Sequence, residues 1–393
     1  VPLSLWERVG VRASDRRSPS RKPAAIRVTL TPAPSPAERA RGDYGIGSKP
    51  ILPAGKSPLD YWQRPHEMQK DKRPCWDSDK PIRVAISACL LGQKVRYDGG
   101  HKHDPFLTET LGQYVEWIPV CPEVEIGLGI PRPTLRLERR DDQICLVMPK
   151  ENRDLTHTMQ TFARRRVKAL AEADICGYVL KKNSPSCGME RVKVYKPEGD
   201  SAGTHVGTFA GVLLEMMPYL PIEEEGRLHD PRLRENWVTR IFAFHRLKNL
   251  WSQRWRLNDL VAFHTAHKYL LLAHSPEHYK RLGQLVAHGK SLSREELRTR
   301  YEAEFMTGLK RLATPAKNAN VLLHMLGFFK KVLPDDVRAE IRGLIDDYRK
   351  GSVPLVVPVT LLAHYARRLN ITYLLDQVYL YPHPKELALR SHV

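Results

Sequence analysis

The chain has 393 residues, of which 63 are Lys or Arg and 44 are Asp or Glu, giving a formal net charge of +19. A hydrophobic content of 42% suffices to bury real cores and excludes wholesale disorder. The sequence contains no run of about 18 apolar residues, so it predicts no membrane-spanning helix. Six cysteines are too few for a disulfide scaffold in a chain of this length. Because the sequence shows no signal-peptide pattern, we expect a cytoplasmic protein with reduced thiols, which favours metal binding or catalysis.

The positive charge is unevenly distributed along the chain. Residues 1–67 carry 12 basic and 6 acidic residues, residues 68–225 carry 23 of each, and residues 226–393 carry 28 and 15. The length favours two domains, which we place at 68–222 and 226–393. A neutral region followed by a basic one predicts that chemistry and the docking of a polyanion are divided between them.

Residues 1–67 do not have the pattern of a folded domain. They contain ten of the 30 prolines and no sustained apolar periodicity, which is typical of disorder. Part of this leader resembles a translation of repetitive DNA, so we hypothesise that the natural chain starts at Met68. A targeting peptide is the alternative. An intact mass of the native protein that includes the leader would contradict the hypothesis.

From residue 82 onwards, short β-branched runs alternate with amphipathic runs. Strands are predicted at 82–88, 115–120, 144–148, 176–180 and 191–195, and helices at 154–174 and 208–217. Alternation of this kind predicts an α/β fold, a Rossmann-like layer with a largely parallel sheet.

Three cysteines follow predicted strands of this layer. Cys89 and Cys121 come directly after the first two strands, and Cys187 lies in the loop after the fourth. Ligands of parallel sheets bind beyond the carboxyl ends of the strands, so we expect the three thiols to converge there. Soft thiolates suit zinc or an iron–sulfur cluster, but the close cysteine pairs of structural zinc sites are missing.

The remaining cysteines give weaker signals. A single cysteine most often packs as a small hydrophobic side chain. Cys145 and Cys176 fall inside predicted strands, so we expect them in the core, and we assign no role to Cys75.

Three motifs, in this order, resemble the TudS-type thiouracil desulfidase family. They are ISACLLGQKVRYDGGHK at 86–102, VCPEVEIGLGIPRPTLRL at 120–137 and VLKKNSPSCG at 179–188. The match covers nearly all of residues 82–220. This resemblance implies a desulfidase that uses a 4Fe–4S cluster, and the positions that match the family's three ligands are Cys89, Cys121 and Cys187.

Segments of the C-terminal half resemble the YbgA-like domain. They are 263–289, 320–333, 353–365 and 377–390. The order of the two domains is similar to that of RudS-type bacterial desulfidases, which remove sulfur from 4-thiouridine in transfer RNA. The resemblance therefore implies a tRNA 4-thiouridine desulfidase that forms uridine and releases sulfide, with tRNA as its partner.

The reaction needs a soft acceptor for sulfur, an activated water and a group that stabilises charge on the ring. Glu123 is the candidate base, or else a loop carboxylate that caps backbone N–H groups. Ser184 and Ser186 are candidates for binding the substrate or relaying a proton, although Ser-Pro-Ser also favours a local turn. Lys181 or Lys182 is expected to stabilise negative charge, or to form a solvated pair.

A glycine-rich loop at 92–102 contains the candidate substrate-binding residues Arg96, Tyr97 and Asp98. A basic, aromatic loop of this kind suits a flipped nucleotide, with Tyr97 stacking on the base. The glycine run at 127–133 is rejected as a phosphate loop because its prolines lack the N–H donors that such a loop uses.

Residues 235–390 predict a helical domain. One helix face is predicted through Val261, His264, Lys268 and Leu271, and further helices at 295–312 and 337–348. Four histidines present two alternatives, a metal site or a polar helix surface that contacts RNA. They are His264, His267, His274 and His278.

Five aromatic residues of the same half are candidates for stacking on exposed bases, although aromatics at helical spacing are mostly core. They are Trp237, Trp251, Trp255, Tyr269 and Tyr279.

Three functions remain open from the sequence. The first is a tRNA 4-thiouridine desulfidase, and the second is a desulfidase of free thiouracil, which has less need of a basic domain. The third belongs to another class, a non-catalytic iron–sulfur protein that binds RNA or senses redox state. The sequence does not predict the oligomeric state.

Overall fold

The computed structural model describes residues 80–392. The leader at 1–67, the start at Met68 and Cys75 lie outside the described residues, so those predictions stay untested. Between residues 80 and 392, no helix has the length and apolarity needed to cross a membrane.

The described part of the chain contains two β-sheets. Their strands are β1 (Ile82–Ser87), β2 (Val115–Val120), β3 (Arg136–Arg140), β4 (Gln143–Met148), β5 (Arg153–Asp154), β6 (Gly177–Leu180), β7 (Val192–Tyr195), β8 (Ser201–His205) and β9 (Ile222–Glu224). The first sheet has the order β2-β1-β6-β9 and is parallel throughout. This sheet confirms the predicted α/β class, since its strands are short, largely buried and rich in Val and Ile.

The second sheet has the order β5-β4-β3-β7-β8. It is antiparallel except for the pair β3 and β7. The third and fifth predicted strands, at 144–148 and 191–195, therefore belong to this mixed sheet and not to the parallel layer. Strands β3, β5, β8 and β9 were not predicted, because they are polar, charged or only two to five residues long.

Three helices accompany the sheets: α1 (Pro122–Glu125), α2 (Thr156–Glu172) and α3 (Thr208–Met216). The predictions at 154–174 and 208–217 are confirmed to within two residues. The α2 helix is amphipathic, and its buried stripe contains Met159, Phe162, Ala163, Val167 and Leu170. Cys145 and Cys176 lie buried in the core, as expected.

The C-terminal half is helical, as predicted. Its helices are α4 (Pro231–Trp251), α5 (Leu257–Ala266), α6 (Lys268–His274), α7 (Pro276–Ala287), α8 (Arg294–Lys310), α9 (Pro315–Leu326), α10 (Asp335–Lys350), α11 (Val356–Arg368) and α12 (Thr372–Leu375). The single face predicted from Val261 to Leu271 is wrong, because the helix breaks at His267. Val261 is exposed while Leu271 is buried, so the two residues do not share an environment.

Helix α4 joins the helical half to the parallel sheet. The indole Nε1 of Trp237 donates to the carbonyl oxygen of Pro221 at 3.0 Å. A Cβ at Gly177 of β6 would lie 2.6 Å from Cγ2 of Ile241, so glycine permits the close approach of strand and helix. Lys248 Nζ donates to the carbonyl oxygen of Ile175 at 2.7 Å. The two predicted regions therefore share one hydrophobic core, while the boundary at 222–226 stays a prediction.

The four histidines proposed for a metal site or a polar surface have a different role. His267, His274 and His278 are buried, and His264 is half-buried. Each has a local partner: Tyr301 Oη for His264, the carbonyl oxygens of Phe263 and Arg311 for His267 and His274, and Ser275 Oγ for His278. They are histidines of the helical half that each have at least one hydrogen-bond partner within it.

Of the two alternatives for the five aromatic residues of the helical half, stacking on exposed bases or packing in the core, the structure shows core packing for four. The buried ones are Trp237, Trp251, Trp255 and Tyr269. Only Tyr279 of the set is partly accessible, and its ring stacks on His264 with centroids 5.4 Å apart. These aromatics pack into the helical core, as large apolar side chains at helical spacing usually do.

Candidate active site

The parallel sheet brings Cys89, Cys121 and Cys187 together at its carboxyl edge. All three line one cavity of about 350 Å³. Cys89 follows β1, Cys121 follows β2, and Cys187 lies in the loop after β6, on the other side of β1. After β1 the chain crosses to one edge of the sheet, and after β6 it crosses to the other edge. Doubly wound sheets form a ligand crevice at the point where the direction of crossing reverses.

Local hydrogen bonds fix the backbone of each cysteine. The carbonyl oxygen of Cys89 accepts from the N–H of Lys102 at 2.8 Å. The N–H of Cys121 donates to Glu125 Oε1 at 3.1 Å. The N–H of Cys187 donates to Ser184 Oγ at 3.1 Å. The three thiols are therefore presented by three ordered turns.

The protein alone favours the neutral form of these thiols. Burial raises the pKa of Cys89 to about 11, although the Lys181 ammonium opposes this shift. Burial also raises the pKa of Cys121, and it raises that of Cys187 well above its ordinary value, with Glu123 and the other two cysteines adding to the effect. Three thiolates in one cavity repel each other, so a bound cation is needed to hold them all deprotonated.

The thiol donors of this cavity suit a soft metal or an iron–sulfur cluster. Within residues 80–392, no group of three or more His, Cys, Asp or Glu side chains has the geometry to hold a metal ion. The residues therefore fit such a cluster by the chemistry of their three sulfur donors and not by their spacing.

Glu123 lies beside the cysteines on α1 and lines the cavity. Its Oε1 accepts from Ser186 Oγ at 3.0 Å, and its Oε2 accepts from Arg132 Nη2 at 2.6 Å. Between residues 80 and 392 its carboxylate caps no backbone N–H, and the neighbouring Glu125 has that role at Cys121. The structure therefore offers a carboxylate held by two side chains at the wall of the cavity.

The two serines have different environments. Ser184 lines the cavity, and its Oγ accepts from the N–H groups of Ser186 and Cys187 at 3.3 and 3.1 Å. The turn interpretation is therefore right for Ser184, although its hydroxyl proton remains available to a ligand. Ser186 is fully buried and donates to Glu123, so it positions the carboxylate from outside the cavity.

Lys181 is part of a buried ion pair and not of a solvated pair. Its Nζ donates to Glu225 Oε1 at 2.5 Å, and the N–H of Lys182 donates to Glu225 Oε2 at 2.7 Å. The Lys181 N–H also donates to Ser87 Oγ at the end of β1. This network fixes the Lys181 ammonium at the wall of the cavity, where it acts on the charge of Cys89.

The glycine-rich loop contributes two of its three candidates to the cavity. Arg96 and Tyr97 line the cavity, and the Arg96 guanidinium lies 5.4 Å from the centroid of the exposed Tyr97 ring. Asp98 does not line it. Its carboxylate accepts from the N–H of Gly100 at 3.0 Å, and this bond and the nearby Arg96 hold the pKa of Asp98 below its usual range. Asp98 therefore stabilises the turn.

Two residues of the site were missed by the sequence analysis. Arg132 lies in the glycine-proline run that was rejected as a phosphate loop, and its charge pairs with Glu123. Glu225 directly follows β9, a strand of three residues that no pattern indicated. The sequence carried no signal for either residue, because both lie near strands, β3 and β9, that were themselves not predicted.

Two family models match this chain. Residues 84–225 match the model described as 2-thiouracil desulfurase, and residues 268–384 match the one described as a protein of unknown function, DUF1722. The cavity described above is built within the first match, and α6 to α12 lie within the second.

Three known proteins are similar to parts of the chain. The uncharacterized protein YbgA of Escherichia coli K12 is 30% identical over 160 residues, which cover 40% of this chain and 95% of YbgA. The uncharacterized protein YbbK of Bacillus subtilis 168 is 24% identical over 110 residues, or 27% of this chain and 72% of YbbK. A solved structure of the 4Fe–4S-dependent thiouracil desulfidase TudS is 30% identical, covers 38% of this chain and 94% of that one, and has a TM-score of 0.31.

Proposed function

The chain belongs to the thiouracil desulfidase family over residues 84–225 and to the family of YbgA over its helical half, and from this premise we propose that it converts 4-thiouridine in tRNA to uridine. In the overall reaction water replaces the sulfur, so that C=S and H₂O give C=O and H₂S. The observation that supports the proposal is the single cavity that contains three thiols, a held carboxylate and a fixed ammonium.

We further propose that Cys89, Cys121 and Cys187 hold a 4Fe–4S cluster, the group named for TudS. When bound through three cysteines, such a cluster supplies an iron with an open position that accepts a soft sulfur atom. Cys145 and Cys176 are buried away from this cavity and take no part.

Glu123 is the proposed base that takes a proton from the attacking water. The Arg132 guanidinium holds Oε2 of the carboxylate, and the Ser186 hydroxyl fixes the direction of Oε1. A carboxylate held from two sides needs no reorganisation when it accepts a proton. This lowers the activation free energy of the proton transfer. Ser184 Oγ, with a free hydroxyl proton at the cavity wall, is placed to donate to an oxygen or nitrogen of the base.

Cationic and aromatic side chains of the cavity would orient the substrate. The Lys181 ammonium is fixed by Glu225 and stabilises negative charge that develops on the ring during attack. Tyr97 is exposed at the rim with Arg96 beside its ring, an arrangement that stacks on a nucleobase and neutralises a neighbouring phosphate. Together they suit a nucleotide that has been turned out of an RNA strand.

The helical half is the proposed tRNA-binding region. Residues 226–393 carry 28 basic and 15 acidic residues, while the catalytic region is neutral. Its large aromatics are mostly buried, so recognition depends on charge and not on the stacking predicted from sequence.

A second candidate is the desulfidation of free thiouracil. The description of the matching family model names that base, and a cavity of about 350 Å³ accommodates a free pyrimidine. A basic helical half has no use in that reaction, which is why we favour the tRNA substrate.

The decisive experiment compares substrates with anaerobically reconstituted full-length protein. Thiolated tRNA, free 2-thiouracil and free 4-thiouracil are supplied in parallel, and released sulfide and the product base or nucleoside are quantified. Turnover of tRNA supports the proposal, and turnover of the free bases alone contradicts it. If protein with a bound cluster leaves all three unchanged, the protein is a non-catalytic regulator. Cys121→Ala serves as the inactive variant and Cys145→Ala as its matched control.

A further inference from the structure

Asn183 brings an amide to the wall of the cavity that contains the three cysteines. Among the described residues that line this cavity, it alone is an Asn or a Gln. It lies in the turn between β6 and Ser184, and it is exposed. Within residues 80–392 its side chain makes no hydrogen bond. The amide is therefore available to a ligand in the cavity.

The backbone on both sides of Asn183 is held in place. The N–H of Lys182 donates to Glu225 Oε2 at 2.7 Å, and the carbonyl oxygen of Ser184 accepts from the N–H of Gly188 at 2.8 Å. Asn183 has a φ of 57°, in the left-handed region that Asn adopts more readily than most residues. Glycine adopts this region more readily still. The turn conformation therefore explains a turn residue at this position but does not require an amide.

The other acceptor side chains of the cavity suit the edge of a pyrimidine less well. Both oxygens of Glu123 have a protein partner, and Ser184 Oγ accepts from two backbone N–H groups. The hydroxyls of Tyr97 and Thr134 are single groups. Only the Asn183 amide offers an acceptor and a donor side by side in one plane, which is the complement of an N–H next to a carbonyl.

We propose that Asn183 selects the base by pairing with its N3 edge. Oδ1 accepts from N3–H, and Nδ2 donates to the carbonyl oxygen beside N3. This carbonyl is at C2 in 4-thiouracil and at C4 in 2-thiouracil, so one amide serves both isomers and leaves the C=S group on the other side of N3 unpaired. The inference rests on the proposed desulfidation of a pyrimidine and adds the residue that recognises the base.

Binding of the product base and of its N3-methyl analogue tests the pairing. Anaerobically reconstituted full-length protein is titrated with uracil and with 3-methyluracil in a calorimeter. Methylation removes the N3–H donor, so we expect the unmodified protein to bind uracil about tenfold more tightly than 3-methyluracil. Asn183→Gly keeps the left-handed turn but removes the amide. It should bind uracil about tenfold more weakly and reduce the preference to about twofold or less.

Asn152→Gly is the matched control. Asn152 is exposed and has a φ of 47°, but it lies between β4 and β5 and outside the cavity. This variant should bind both bases as the unmodified protein does.

Asn183→Asp separates the two hydrogen bonds. It keeps the Oδ1 acceptor and replaces the Nδ2 donor by an oxygen. Uracil should therefore bind more weakly while the preference over 3-methyluracil persists. Unchanged affinity for uracil in this variant would overturn the pairing.

Sulfide release from thiolated tRNA is measured on the same proteins, so that the two proposals fail separately. An equal preference for uracil in Asn183→Gly and in the unmodified protein overturns the assignment of Asn183, even where sulfide is released at the full rate. Failure of the unmodified protein to prefer uracil, or to bind either base, also overturns it. A protein that selects uracil through Asn183 but releases no sulfide contradicts the desulfidase proposal alone.

Discussion

Ser186 donates its hydroxyl proton to Glu123 Oε1 across 3.0 Å, although 63 residues separate the two in sequence. The bond links the loop after β6 to the turn after β2, and both loops also carry a cavity cysteine. Arg132 holds the second carboxylate oxygen, with Nη2 2.6 Å from Oε2. The orientation of the Glu123 carboxylate, the proposed base, is therefore set by two side chains that come from different loops.

Replacing Ser186 by alanine tests this positioning. One hydrogen bond of about 1 kcal/mol is lost, so we expect kcat for thiolated tRNA to fall about fivefold while KM changes little. Rates are measured with cluster content held equal. Ser291→Ala, a hydroxyl bonded to a backbone carbonyl far from the cavity, is the control. A change in KM alone would show that Ser186 does not position the base.

The pair of Arg132 and Glu123 is expected to contribute to stability as well as catalysis. The two side chains are only 5% and 15% exposed, so Arg132→Leu leaves a nearly buried carboxylate without its partner. We expect the free energy of unfolding to fall by about 3–5 kcal/mol, measured by denaturant titration. Arg83→Leu removes the exposed pair with Glu116 and should cost less than about 1 kcal/mol. Equal losses in the two variants would contradict the buried role.

Iron content tests the ligand set. Anaerobically purified protein should contain about four irons and four sulfides per chain, and alanine at Cys89, Cys121 or Cys187 should abolish or strongly reduce both. Cys176→Ala is the matched control, because Cys176 is buried like Cys89 and Cys187 but lies outside the cavity. Full cluster content in any of the three variants would contradict the assignment.

Buried histidines should make the helical half sensitive to acid. Burial lowers the pKa of His264 and His274 from 6.5 to about 4, and that of His267 to about 3. Below about pH 6.5 the unfolded chain therefore binds protons that the folded chain does not bind. The contribution of these histidines to the free energy of unfolding is complete above about pH 6.5 and is lost as the pH falls towards 4. At about 1.4 kcal/mol per pKa unit, each histidine contributes about 3 kcal/mol to this loss.

The measurement is the free energy of unfolding between pH 7 and 4. His274→Asn should flatten the acid slope, whatever its effect on stability at pH 7. His324→Gln, at an exposed position on α9, should leave the slope unchanged. An unchanged slope in both variants would mean that His274 is not the group that titrates.

The sequence predicted the cavity through its strands. Cys89 and Cys121 come directly after β-branched runs and Cys187 lies in the loop after a third, so local patterns predicted that the three thiols converge at one end of the sheet. The partners of Glu123 did not follow, because Arg132 and Ser186 reach it through loops whose paths depend on tertiary contacts. The second sheet was missed for a related reason: β3 is RLERR, a charged run whose buried Glu138 is balanced by Arg136 and Arg140.

The interpretation of the histidine and aromatic side chains as surface residues was wrong because the sequence does not show which face of a helix is buried. The helical pattern of residues 235–390 placed His274 and Trp237 on helices, but the direction of a helix face is decided by the elements that pack on it. In this fold α4 lies between the parallel sheet and the other helices, and it is buried over most of its circumference. A sequence pattern alone does not distinguish such a helix from a surface helix with an aromatic stripe.

Charge on the helical half should control tRNA affinity. Lys330 and Lys331 are exposed after α9, next to the exposed side chains of Phe328 and Val332. Each lysine that contacts a phosphate releases counterions, so log K falls with log salt by about 0.9 per contact. We expect the double variant Lys330→Gln, Lys331→Gln to bind thiolated tRNA more weakly at low salt and to reduce the slope by about one to two.

The matched control is a double variant with the same loss of charge, Lys150→Gln, Lys196→Gln. Both of these lysines are exposed, and both belong to the neutral catalytic region. Binding isotherms at four salt concentrations give the slopes. If tRNA contacts the helical half, the control keeps the slope of the unmodified protein. A larger loss of slope in the control than in the Lys330 and Lys331 variant would move the tRNA-binding surface to the catalytic region, because only contacts to phosphate change the number of counterions released.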